Sequence, residues 1–306
     1  MNTLLFPGQG SQVVGMGKQF YDEFKIVKKI FDEADEKLKF KLSNIILEGP
    51  ADQLQLTKNT QPAILVVSYS IFKVLKEEFN YELKKFKFFA GHSLGEYSAL
   101  VCSESLNFSD AVYLLHERGK AMQEAVPIGK GSMIAVLGLN INEIKSLLEK
   151  REDKNLICEI ANDNADGQII LSGEKSGIDK FQQTLQKNKI KSIPLKVSAP
   201  FHCSLMKPAA KSMEKKIDST NFKDPIIKII NNVTASAENR SEIIKKLLVD
   251  QIFSTVKWRE SLINMSKNGI KNYIEIGPGK VLTGMVKRTI KNSVCFSINS
   301  IDDINK

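Results

Sequence analysis

Lys85-Phe86-Lys87-Phe88-Phe89-Ala90-Gly91-His92-Ser93-Leu94-Gly95-Glu96-Tyr97-Ser98-Ala99-Leu100 is the stretch from which the rest of the chain can be read. An apolar run of strand length meets Gly91-x-Ser93-x-Gly95, and a helix-forming sequence follows. This fits G-x-S-x-G, in which glycines relieve crowding at a sharp strand-to-helix turn and leave the serine hydroxyl exposed. The start of such a helix also favours negative charge developing near Ser93. A glycine-rich turn carrying an ordinary surface serine is the competing reading.

Working outward, residues 4–6 form a second short strand stopped by Pro7-Gly8-Gln9-Gly10, and a helix is expected over about 12–24. Apolar residues recur at three and four over 61–79, with Pro62 suited to a first helical turn. Ser109-Asp110 offers a cap to a helix ending near Glu124. Strand, turn and helix in repetition predict an α/β fold with a largely parallel sheet. The pattern changes after Val126-Pro127-Ile128-Gly129. Strands are expected at 132–139, 156–161, 168–172 and 189–197, with helices at 141–151 and 177–188. That order, β-α-β-β-α-β, is a ferredoxin-like unit. The chain therefore divides into a large lobe, 1–127 and 198–306, and an inserted small lobe, 128–197. After Pro200 come further α/β pieces, including a strand at 273–276 and a helix after Gly277-Pro278-Gly279.

Composition narrows the function classes. In 306 residues, 42% hydrophobic and 26% charged residues are ordinary for a soluble globular protein. The longest apolar stretch, 62–72, is interrupted by Ser68-Tyr69-Ser70 and falls short of the roughly 18 to 20 residues a membrane span needs. The first ten residues lack the pattern of a secretory leader, so a cytoplasmic location is expected. Cys102, Cys158, Cys203 and Cys295 are too far apart for a C-x-x-C pair and no H-E-x-x-H occurs, so neither zinc nor a disulfide framework is expected. Gly8-Gln9-Gly10 and Gly277-Pro278-Gly279-Lys280 match neither nucleotide-phosphate loop, and no cofactor is expected. The net charge of +9 is spread along the chain without a basic block, which argues against nucleic acid and leaves an acidic partner open.

A nucleophilic serine needs a base within hydrogen-bond reach, and there are only three histidines. His92 adjoins Ser93, but successive side chains at such an elbow diverge. His116 lies on a mixed helical face with Val112, Tyr113, Gly119 and Lys120, which suits the surface. His202, in Ser198-Ala199-Pro200-Phe201-His202-Cys203, falls where the two lobes meet. It is the preferred base, although position alone does not separate it from a satisfied structural histidine. Arg118 has apolar neighbours at three and four residues: Leu114, Leu115, Ala121 and Met122. A guanidinium on a buried face needs an anionic partner, and only five of the 44 basic residues are arginine. Both a ligand carboxylate, gripped in bidentate fashion, and an internal salt bridge fit.

Together these residues resemble the malonyl-CoA:acyl carrier protein transacylase family over nearly the whole chain. The resemblance rests on Phe6-Pro7-Gly8-Gln9-Gly10-Ser11-Gln12, Thr60-Gln61-Pro62-Ala63, Gly91-His92-Ser93-Leu94-Gly95-Glu96-Tyr97 and Arg118. It continues through Asn162 with Asn164-x-x-Gly167-Gln168, Ala199-Pro200-Phe201-His202, Asn231-Asn232-Val233, Gln251 before Val256-x-Trp258, and Ile276-Gly277-Pro278-Gly279-Lys280-Val281-Leu282. It implies an α/β-hydrolase-like large subdomain carrying a ferredoxin-like small subdomain. Ser93 would be the nucleophile and His202 the general base, then general acid toward the departing thiol. The main-chain carbonyl of Gln251 would orient His202, so that neighbouring Asp250 is not a triad member. Backbone N–H groups of Gln9 and Leu94 would form the oxyanion hole, where one donor is worth roughly 3 kcal/mol. Arg118 would hold the free malonyl carboxylate, and Phe201 resembles the malonyl-type version of its loop.

The implied reaction is ping-pong transfer of malonyl from malonyl-CoA to acyl carrier protein for fatty acid synthesis, in a tight, largely apolar site. Acyl carrier proteins are acidic, so basic docking positions are expected at Lys187, at Lys189 and Lys191 on one strand face, and at Lys287-Arg288. Lysines that protect a sheet edge are the competing explanation. An esterase would need an acidic triad partner and has no use for Arg118. A scaffold without activity would not need Ser93, His202, Gln9 and Arg118 together.

Overall fold

The computed structural model describes residues 1–304. Its ten strands are β1 (Asn2–Phe6), β2 (Phe86–Gly91), β3 (Gly131–Leu137), β4 (Cys158–Ala165), β5 (Gln168–Glu174), β6 (Ser192–Pro194), β7 (Lys228–Ile230), β8 (Ala237–Glu238), β9 (Asn272–Ile276) and β10 (Val294–Ile298). Six of them form one sheet in the order β10-β9-β1-β2-β7-β8, parallel throughout except for β8. Its central strands are covered on both faces. Accordingly Leu4, Leu5, Phe6, Phe89 and Ala90 read as continuous apolar runs rather than alternating ones.

The remaining strands form an antiparallel sheet in the order β4-β5-β3-β6, the order of a ferredoxin-like unit. Here the two-residue period shows. Ile134, Val136, Ile169 and Leu171 pack with Ile144, Ile178, Phe181 and Leu185 of helices Ile141–Lys150 and Lys175–Lys187. The alternate residues Met133, Ala135 and Ile170 turn the other way, into the main core. One face of the small sheet is thus a wall of the large lobe.

Several elements depart from expectation. The helix anticipated over 12–24 begins only at Lys18, because Gly15 and Gly17 take positive φ and hold the chain in turns. The cap of helix Phe108–Glu124 is Asn107, whose side chain accepts from Ser109 N, rather than Ser109-Asp110. The long helix Thr57–Glu77 starts a turn early, so Pro62 lies inside it. Proline has no N–H to give the carbonyl four residues back, and that carbonyl, Lys58 O, lies 3.0 Å from His116 Nδ1. The imidazole donates to it, so His116 is a half-buried clamp between two helices rather than a free surface group. No described helix is long and apolar enough to cross a membrane.

Candidate active site

The site gathers at the carboxyl ends of four parallel strands, where open α/β sheets present their loops. Pro7-Gly8-Gln9 follow β1, His92-Ser93-Leu94 follow β2, Asn231-Asn232 follow β7, and Gly277-Pro278-Gly279 follow β9. The turn after β2 is very tight. A Cβ on Gly91 would stand 1.9 Å from the Gly95 carbonyl carbon, and one on Gly95 would stand 2.2 Å from Phe6 O. Ser93 itself takes φ +54°, a left-handed conformation costly for a non-glycine residue. Asn232 holds it there: Ser93 N donates to Asn232 Oδ1 at 2.7 Å, and Asn232 Nδ2 donates to Gly91 O at 2.8 Å.

Ser93 Oγ lies 2.8 Å from His202 Nε2. His202 Nδ1 lies 2.8 Å from the main-chain carbonyl of Gln251. A carbonyl only accepts, so the proton sits on Nδ1 and Nε2 is left as the acceptor facing the serine. Burial first, then the nearby Arg118 charge, push the imidazole down to about 3, so it is neutral at pH 7. The histidine loop is tied to the small sheet, since Ser204 N and Oγ both donate to Glu159 on β4, at 2.8 and 2.6 Å. His92 points elsewhere: its Nε2 lies 2.7 Å from Asn164 Oδ1, and its ring packs edge-on against Trp258.

Arg118 reaches the site because two helices cross closely. A Cβ on Gly119 would come within 2.5 Å of Thr57 O, so only glycine lets helix Phe108–Glu124 approach helix Thr57–Glu77 this far. The guanidinium is buried. Its Nη1 donates to Gln61 Oε1 at 2.6 Å, and its Nη2 donates to Gln251 Oε1 at 2.9 Å and Ser93 Oγ at 3.2 Å. Among the described residues no carboxylate forms an ion pair with it, and its Nε has no hydrogen-bond partner. The internal salt bridge is therefore not how this charge is satisfied; neutral amides hold it and leave donors unused. Burial lowers its pKa from the usual arginine value.

Gly8, Gln9, Ser93, Leu94, Arg118 and His202 line one cavity of about 230 Å³. Met122, Met133, Ile170, Leu195, Val197, Phe201 and Met285 form its apolar wall, and Asn162, Asn164 and Gln168 of the small sheet add a polar edge. Among the described residues neither Gln9 N–H nor Leu94 N–H meets a protein acceptor. An activated hydroxyl, a neutral base, two open N–H groups and a cation with spare donors suit acyl transfer of a group that ends in an anion.

Three polar groups escaped the single-residue reading: Gln61, Asn232 and Glu96. Gln61 is a fully buried amide on an apolar helix, which is the signal that it has a fixed partner. The expected lysine face is corrected. Lys189 takes φ +57° in a turn and β6 begins only at Ser192, so Lys189 and Lys191 do not share a strand face. Lys187, Lys189, Lys191, Lys287 and Arg288 are all exposed, and Arg288 Nη1 donates to Gln168 Oε1 at 3.0 Å, beside the cavity.

Residues 3–304 match the family described as acyl transferase domain. The chain is 42% identical over 303 residues to the malonyl CoA-acyl carrier protein transacylase of Bacillus subtilis (strain 168), covering 99% of this chain and 94% of that protein. It resembles the crystal structure of acyl-carrier-protein-S-malonyltransferase from Bartonella henselae with a TM-score of 0.96 and 41% identity, over 99% of this chain and 97% of that one. A malonyl-transacylase solved in complex with a type II PKS acyl-carrier protein gives 0.95 and 36%, over 99% and 97%.

Proposed function

The chain belongs to the malonyl CoA-acyl carrier protein transacylases of the acyl transferase family, and from that premise we propose how its residues divide the work. It transfers malonyl from malonyl-CoA to the phosphopantetheine thiol of acyl carrier protein, supplying fatty acid synthesis. Ser93 Oγ attacks the thioester carbonyl as His202 Nε2 takes its proton. The oxyanion is received by Gln9 N–H and Leu94 N–H, and the protonated histidine gives its proton to the leaving CoA sulfur. The carrier thiol then attacks the malonyl-serine ester by the same steps in reverse. The Gln251 carbonyl keeps the imidazole in the right tautomer without a triad carboxylate.

The observation that carries this reading is Arg118, a buried charge beside the nucleophile held by amides and paired with no carboxylate among the described residues. A simple esterase gains nothing from such a group, whereas a malonyl carboxylate completes it. Mass spectrometry after mixing with malonyl-CoA tests the proposal. The native protein gains a malonyl adduct and Ser93→Ala gains none; a native protein without adduct overturns it.

Lys187, Lys189, Lys191, Lys287 and Arg288 serve as docking positions for the acidic carrier protein, by raising encounter rates. Charge reversal to Glu at both clusters is expected to slow transfer to carrier protein about tenfold at low salt while malonyl-enzyme formation is unchanged. Unaltered transfer sinks the assignment. The four cysteines are unpaired, which fits a reducing, cytoplasmic setting.

A further inference from the structure

Glu96, three residues past the nucleophile, is fully buried and takes no part in the steps above. Its carboxylate accepts from Asn231 Nδ2 at 2.5 Å, from the Asn232 main-chain N–H at 3.1 Å and from Gln251 Nε2 at 2.8 Å. The Gln251 amide stands between this carboxylate and the Arg118 guanidinium. Its Nε2 donates to Glu96 and to Ser93 O, while its Oε1 accepts from Arg118 Nη2. A carboxylate and a carbonyl only accept and a guanidinium only donates, so the amide has a single satisfied orientation.

We propose that Glu96 is a positioning residue that supplies the counter-charge of Arg118 through the Gln251 amide, keeping the guanidinium charged and aligned while its remaining donors stay open for substrate. The inference rests on the reading of Arg118 as the carboxylate clamp. A buried guanidinium without compensation is costly, yet a carboxylate in direct contact would occupy the donors that malonyl needs. One intervening amide meets both demands. Its dipole is aligned between the two charges, which strengthens both hydrogen bonds. Burial raises the Glu96 carboxyl to about 7, while three N–H donors and the Arg118 charge favour the ionised form, so the counter-charge is in place above that pH and the two acyl groups are compared at pH 8.

Glu96→Gln keeps the shape and removes the charge. Its NH₂ must face either Asn231 Nδ2 or the Asn232 and Gln251 donors, and in neither orientation is the counter-charge restored. The readout is the ratio of kcat/KM for malonyl-CoA to that for acetyl-CoA, with thermal unfolding followed in parallel. The ratio is expected to drop about tenfold, the scale of one charge-assisted hydrogen bond. In an Arg118→Ala background, Glu96→Gln is expected to leave the ratio unmoved. Should Glu96→Gln not fold, the wild-type ratio is followed from pH 8 to 6 instead, where the Glu96 carboxyl takes up its proton, and it drops by a similar factor; a ratio that stays constant overturns the inference. Equal losses for both acyl groups, or additive effects of the Glu96 and Arg118 variants on the ratio, overturn the inference. A wild-type protein with no preference for malonyl-CoA overturns the reading of Arg118 beneath it, and the inference with it.

Discussion

At the scale of single residues the imidazole of His202 is the most exposed to test. Burial first, and the neighbouring Arg118 charge second, hold its pKa at about 3 rather than the ordinary 6.5, so the imidazole stays unprotonated across the physiological range. Acyl-enzyme formation from acetyl-CoA, which does not draw on the Arg118 clamp, is therefore expected to show no loss as pH falls through 6.5, and to stay flat to about pH 5. An acid limb centred near 6.5 that stays in place under substitutions around Arg118 would show that the site does not depress the histidine. The same shift has a stability consequence of definite sign. Between about 3 and 6.5 the unfolded chain binds a proton at this position and the folded chain does not, so acidification through that window favours unfolding. From pH 6.5 to 5 the wild-type Tm should accordingly fall more steeply than that of His202→Asn. Ser93 and His202 were legible as chemical types. The partners of Arg118 were not, because Gln61 and Gln251 lie 57 and 133 residues away in sequence. Helical periodicity reports which face is buried, never what waits opposite.

At the scale of elements the elbow and the strand-helix alternation could be read because glycine placement and apolar period are local properties. The failures were local conflicts resolved by backbone geometry. Positive φ at Gly15 and Gly17 delays a helix, and positive φ at Lys189 shortens a strand that residue types alone would have extended to 189–197. Gly277-Pro278-Gly279-Lys280 is instructive in a different way. The helix Val281–Thr289 that follows it has no side-chain cap at its own N-terminus. The buried Glu275 of β9 supplies one from the neighbouring strand, accepting from Leu282 N at 3.1 Å and Thr283 N at 2.7 Å. A carboxylate of the chain thus sits where an anionic ligand would otherwise meet a helix N-terminus. Glu275→Gln replaces one acceptor oxygen by a donor facing these N–H groups, and a loss of about 1 to 2 kcal/mol is expected in urea unfolding. Stability within error of wild type would mean that the helix start does not depend on this carboxylate.

At the scale of the whole molecule, function depends on two sheets keeping one relative position. Gln9, Ser93 and Leu94 follow strands of the large sheet, whereas the polar edge of the cavity, Asn162 and Asn164, belongs to β4 of the small one. Neither pattern nor composition shows how such pieces meet, because the contacts that join them are distant in sequence. Asp163 N donates to Val256 O at 3.0 Å and Val256 N to Ala161 O at 2.8 Å, a short parallel bridge between β4 and the segment before helix Trp258–Lys267. Asp163 lies between the two cavity asparagines, and its carboxylate is buried. Arg259 on that helix closes on it, with Nε 3.0 Å from both oxygens and Nη2 3.0 Å from Oδ2. Breaking such a pair from one side leaves a buried charge uncompensated, at a cost of about 3 to 5 kcal/mol. Arg259→Met is therefore expected to lower stability by that order and to slow malonyl transfer as β4 loosens. Adding Asp163→Asn removes the stranded charge, so the double variant should be the more stable of the two while still transferring slowly. If the double variant unfolds as readily as Arg259→Met, the cost lies in lost packing and not in the stranded carboxylate. If both transfer malonyl at the wild-type rate, the small sheet does not need this tie to hold its side of the cavity.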